Sequence, residues 1–100
     1  MSHAPGELGR ILVKNYLGLL SEEIRYPATL LFYGEDVKLV CEGSEVIDTL
    51  ALLEAKGAKL IACKTCLNYF GLAGKIRAGM AGTMADILTL QLEAGKVITV

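Results

Sequence analysis

The chain is 100 residues long, 53% hydrophobic and only 6% aromatic with no Trp, a length that holds one domain built on an aliphatic core. Ten basic and eleven acidic residues leave a net charge of -1 without any basic block, which excludes the usual electrostatic footprint of a nucleic-acid binder. No apolar stretch is long enough to span a bilayer, and the first six residues lack a charged region followed by an apolar one, so the sequence predicts a cytoplasmic protein with no membrane partner and with reduced cysteines.

Taken in chain order, residues 1–5 are expected to form a mobile stub in which His3 is inert. Glu7 to Ser21 read as an amphipathic helix. Leu8, Leu12, Tyr16 and Leu19 form much of its apolar face, widened by Ile11, Val13, Leu17 and Leu20. Pro27 punctuates the chain, and Ala28 to Tyr33 is a continuous apolar run, the pattern of a strand buried on both faces. Gly34-Glu35-Asp36 closes that strand. Val37 to Cys41 fits either a short strand or an extended loop. Ser44 has the chemistry of an N-cap for a helix running to about Lys56, which Gly57 stops.

Lys59 to Ala62 predicts a second buried strand ending at Cys63. A short helical segment starts near Thr65 and runs through Phe70, ended by Gly71. Ile76 to Ala78 suggests a brief third strand. Thr83 and Asp86 stand at capping-box spacing at the start of a last helix, which Gly95 ends, and Lys96 to Val100 is the final strand. Strands alternating with helices of this length imply an α/β domain with a mostly parallel sheet and helices on its faces.

Chemistry concentrates in Cys63-Lys64-Thr65-Cys66, at the end of a strand and the start of a helix. The carboxyl edge of an open α/β sheet is where ligands and reacting groups gather. Unpaired N–H groups at a helix start and the Lys64 ammonium favour thiolate over thiol, and the thiolate is the nucleophile in sulfur exchange. Cys63 is thereby expected to be partly open to solvent, with a lowered pKa, and Cys66, about one turn on, to resolve it. The bland alternative is a pair of small buried apolar residues. A zinc site needs four ligands; Cys41 and His3 complete a set by number, but their spacing does not support convergence, and Cys41 reads as a core filler. The glycines near residue 6 lack the spacing of a phosphate loop, and Gly71, Gly74, Gly79 and Gly82 read as turns. No cofactor and no metal are expected.

Three blocks, Gly6-Glu7-Leu8-Gly9-Arg10-Ile11-Leu12, Glu42-Gly43-Ser44 and Cys63-Lys64-Thr65-Cys66-Leu67-Asn68-Tyr69-Phe70-Gly71-Leu72, resemble the DsrE-like family, in particular the C-terminal DsrE-like domain of the YedF proteins. The resemblance runs over nearly the whole chain, and the cysteine block is its most specific part. It implies a three-layer α/β/α domain that forms homo-oligomers, and a sulfurtransferase-like protein that relays sulfur as a persulfide on Cys63, with a link to selenium metabolism. Cys66 matches the second cysteine of the YedF-type block, Lys64 and Thr65 are supporting residues, and the implied partners are sulfur donor and acceptor proteins such as a TusA-like one. The family domain opens with a strand before the glycine-rich helix. Here only Met1 to Pro5 precede that helix, so the sheet is expected to lack its usual first strand. A non-catalytic oligomeric binding module of the same fold and a CxxC thiol redox protein are the alternatives.

Overall fold

The computed structural model describes residues 6–23, 28–93 and 97–100. The expectations placed on residues 1–5 (His3 included), Pro27, Gly95 and Lys96 lie outside the described residues. Among the described residues, four strands form one sheet: β1 (Thr29–Phe32), β2 (Lys59–Cys63), β3 (Met80–Gly82) and β4 (Val97–Thr99), in the order β3-β2-β1-β4. Every pairing is parallel; Leu31 stands opposite Ile61 and Thr99, and Cys63 stands opposite Gly82.

The continuous apolar run of β1 follows from its place between two neighbours and two helical layers. Leu30, Leu31 and Phe32 are fully buried, each stabilising the fold by about 1.5–3 kcal/mol by burial alone. The flanking helices are α1 (Gly6–Glu23), α2 (Ile47–Ala55), α3 (Lys64–Tyr69) and α4 (Met84–Glu93). The steps from β1 to β2 to β3 move one way across the sheet, and the step from β3 to β4 returns across it. Right-handed crossovers therefore place α2 and α4 on opposite faces. α1 packs on α2, and the Lys56 ammonium donates to the Ser21 carbonyl, tying the ends of the two helices together. Layers of helix, parallel sheet and helix are the architecture that the alternating pattern predicts.

Four local expectations are corrected. The segment after β1 is neither strand nor extended loop but a 3₁₀ helix, Gly34–Val40, that buries Val37 and Val40. The third strand is Met80–Gly82 rather than Ile76–Ala78. Residues 77 and 78 give their N–H groups to the Val40 carbonyl, and Ile76 makes an isolated bridge with Cys41, so this stretch is tied to the end of the 3₁₀ helix and not to β2. Ser44 is not the N-cap of α2: Val46 holds that position, and the Ser44 hydroxyl accepts the Val46 N–H at 3.2 Å.

The fourth correction concerns α1. Leu8, Leu12, Tyr16 and Leu19 are exposed, and the buried stripe is Gly9, Val13, Leu17 and Ser21, one or two residues further along. Small residues at both ends of that stripe let the helix approach its neighbours closely. Several ends fall where the sequence put them: Gly57 follows the C-cap of α2 at φ +101°, Gly71 follows that of α3 at φ +68°, and Thr83 and Asp86 exchange two hydrogen bonds at the start of α4.

Candidate functional site

β1 and β2 end side by side. Continuing their parallel register past Phe32 and Ala62 puts Tyr33 next to Cys63, and both residues keep extended backbone (φ -125°, ψ 162° and φ -61°, ψ 118°). Side chains alternate along a strand, so Tyr33 and Cys63 project to the face that carries Leu31 and Ile61. Gly82 lies on the other side of Cys63. The carboxyl edge of the sheet therefore holds Cys63 between a tyrosine and a glycine.

Cys63 is the residue before α3 and is only 2% exposed, because it is also the last residue of a central strand. This corrects the expectation that its sulfur stands partly open. Cys66, one turn along α3, is half-buried, and its Sγ accepts the backbone N–H of Gly34 at 3.2 Å. The donor aimed at a thiol is thus the first residue of the 3₁₀ helix after β1, reaching across from another element. Lys64 and Thr65 lie on the exposed side of α3.

The Cys66 thiol is pulled in both directions. Burial pushes the Cys66 thiol up, the Gly34 N–H pulls it down, and the hydrogen-bonded Cys63 thiol pushes it up again; the net direction is upward. Tyr33 is also held above its ordinary value, first by burial and then by the negative charge that Cys63 and Cys66 carry when ionised. Cys66 and Tyr33 are thus both held toward their neutral forms, and both feel Cys63.

Cys41 is brought to none of this. It is buried, its Sγ donates to the Val37 carbonyl at 3.3 Å, and burial raises its pKa against the opposing pull of Arg77. Among the described residues no three of His, Cys, Asp and Glu are grouped to hold a metal ion. Two of the three resemblance blocks also meet apart from the cysteines: Arg10 and Glu42-Gly43-Ser44 line a cleft of about 360 Å³ between α1 and the turn before α2.

Sequence reasoning missed Tyr33 and Gly34. Both were read as the end of a strand and its closing turn. The signal that exposes them is register: an apolar run ending in Tyr-Gly is aligned with one ending in Cys, and that alignment exists only in the folded sheet.

No protein-family model matches the chain, and no curated protein matches it. Among solved structures, the crystal structure of the ychN protein from E. coli is similar, with a TM-score of 0.68 and 22% sequence identity over 88% of this chain and 82% of that one. No helix among the described residues is long and apolar enough to cross a membrane. The likeness, together with the four parallel strands and flanking helices, assigns the chain a DsrE-like α/β fold.

Proposed function

We propose that this is a sulfur-relay protein in which Cys63 and Cys66 act as a pair. The observation that supports it is the Gly34 N–H directed at the Sγ of Cys66, at the edge of the sheet and beside a second, buried thiol. Cys66 is the thiol a donor protein reaches. Its thiolate attacks the outer sulfur of the donor persulfide, forming Cys66–S–SH and releasing the donor thiolate, which takes up the proton. Cys63 then attacks the outer sulfur of Cys66–S–SH. The persulfide passes to Cys63, Cys66 regains its thiol, and burial shields the carried sulfur from water and reductant. Lys64 and Thr65, exposed on α3, line the approach. The acceptor is a small thiol protein of the TusA-like kind, and a selenium counterpart of the same step is the further reading.

Mass spectrometry after incubation with a persulfide donor tests this. Wild type should gain one sulfur atom, located on Cys63. Cys63→Ser should hold it on Cys66, where dithiothreitol strips it faster, and Cys66→Ser should load slowly. Absence of added sulfur on either cysteine overturns the proposal. Release of sulfide with formation of a Cys63–Cys66 disulfide supports a thiol redox protein instead.

Self-association is part of the same reading. Leu8, Leu12, Tyr16 and Leu19 form an exposed apolar stripe on α1, and Met84, Leu88 and Leu92 form another at four-residue spacing on α4. Burying such stripes in a closed homo-oligomer removes them from water.

A further inference from the structure

The carboxyl edge contains a third polar group that neither the CxxC motif nor the fold assigns. Tyr33 follows β1 directly, one residue before the Gly34 N–H that reaches Cys66. Its register partner across the sheet is Cys63, and strand alternation sends both side chains to the same face. Tyr33 packs against the core and is half-buried.

We propose that the Tyr33 hydroxyl is a catalytic group of the Cys63–Cys66 site: it hydrogen-bonds the anionic sulfur formed there and supplies the proton when that sulfur leaves as a thiol. The proposal rests on the sulfur-relay reading of the pair. A phenol suits this role. It stays protonated at neutral pH, donates through a single O–H, and makes a charge-assisted bond to sulfur only when the sulfur is ionised. Thiolate and persulfide anions would then have two donors, the Gly34 N–H from the backbone and the Tyr33 O–H from the side chain. Among the described residues, burial and the charges of Cys63 and Cys66 account for the upward displacement of the phenol, with no carboxylate or ammonium contributing. The phenol is thus coupled to the two thiols and to no other charged group.

The test needs no sulfur donor. Protein carrying ¹³C at the tyrosine Cζ is titrated by NMR, with Tyr33→Phe assigning the resonance. The Tyr33 midpoint should fall when Cys66→Ala removes one thiol, and fall further in the Cys63→Ala, Cys66→Ala double variant. Cys66→Ala alone carries the test if the double variant does not fold. In parallel, Cys66 is alkylated with iodoacetamide across a pH series. Tyr33→Phe, which keeps the ring and its packing, should move the Cys66 profile to higher pH and slow labelling at neutral pH about tenfold or more, the loss expected for one hydrogen bond to a charged group. A Tyr33 midpoint that ignores both cysteine substitutions, or a Tyr33→Phe profile that superimposes on wild type, overturns the role. Failure of the protein to accept sulfur overturns the relay reading instead, because these two measurements read the phenol–thiol coupling independently.

Discussion

Gly34 donates its backbone N–H to the Sγ of Cys66 at 3.2 Å, joining the 3₁₀ helix after β1 to α3 across 32 residues of sequence. The contact depends on Gly34 having φ +57°, a left-handed conformation that a side chain disfavours. A Cβ added there would meet nothing within 4 Å, so the cost of substitution is backbone strain alone.

Gly34→Ala should therefore destabilise the protein by about 1 kcal/mol and slow alkylation of Cys66 as the backbone relaxes and the donor turns away. Gly34→Asn, which tolerates left-handed backbone, should retain most of both properties. Urea denaturation and timed iodoacetamide labelling measure the two effects side by side. Normal labelling in a destabilised Gly34→Ala protein would show that the N–H does not matter to the thiol.

Stability should fall on the alkaline side. Cys41, Cys66 and Tyr33 are all held above their ordinary values, with burial the first cause in each case. A raised folded-state value means that the unfolded chain releases its proton first. The stabilisation is full below the ordinary thiol value of 9.0 and is lost as pH rises through the folded values. The urea midpoint should drop as pH rises above about 9 and keep falling past about 10, and Cys41→Val should flatten that drop.

The start of α4 gives the opposite sign. The Thr83 N–H donates to the Asp86 carboxylate at 3.0 Å, and the Asp86 N–H donates to the Thr83 hydroxyl at 3.1 Å. The backbone bond first, and the hydroxyl second, hold Asp86 below its ordinary 3.8. Its contribution is present above that value and fades as pH falls through the lower folded value. Thr83→Ala should cost about 1 kcal/mol at neutral pH. In acid titrations followed by circular dichroism, the variant should lose less stability than wild type does.

How far the sequence could be read depended on the range of each interaction. The Thr83–Asp86 box, Gly57 and Gly71 are local, and their chemistry is complete within four residues, so they were legible. The all-buried β1 was legible because Leu30, Leu31 and Phe32 leave no polar face. The buried side of α1 was not, because α1 is apolar over most of its circumference and only the neighbour it packs on decides which stripe is covered. The thiol site divides the same way. The pair Cys63 and Cys66 is adjacent in sequence and was found; its depth, and the approach of Tyr33 and Gly34, come from strand register.

Two glycines near β3 should respond unequally to alanine. At Gly79, φ is +73° and a Cβ would lie 2.7 Å from both the Cβ and the carbonyl oxygen of Leu60, so strain and a backbone clash coincide. At Gly82, φ is not left-handed and the clash is with a side chain alone, the Ile61 Cγ2 at 2.6 Å, a methyl on the branched Cβ of a buried residue. Gly79→Ala should lower stability by about 3 kcal/mol or prevent folding, and Gly82→Ala by about 1–2 kcal/mol. Thermal melts rank them, and an equal or reversed order would contradict the packing at this edge.

The two faces of α1 make the last comparison. Leu17 is fully buried, whereas Leu12 and Leu19 are 41% and 63% exposed on the same helix. Leu17→Ala should cost about 2–5 kcal/mol, because it removes apolar contact and leaves a cavity against the neighbouring layer. Leu12→Glu and Leu19→Glu should change monomer stability by no more than about 0.5 kcal/mol, since each introduced charge stays in water. Their effect should appear in assembly. If the exposed stripe of α1 joins copies of the chain, wild type runs larger than a monomer in light scattering at micromolar concentration, and the double Glu variant runs as a folded monomer. The charge placed in the interface would have to be desolvated without a partner, a penalty large enough to dissociate it. Wild type that is already monomeric, or an assembly untouched by both charges, would exclude α1 as the surface through which the protein associates.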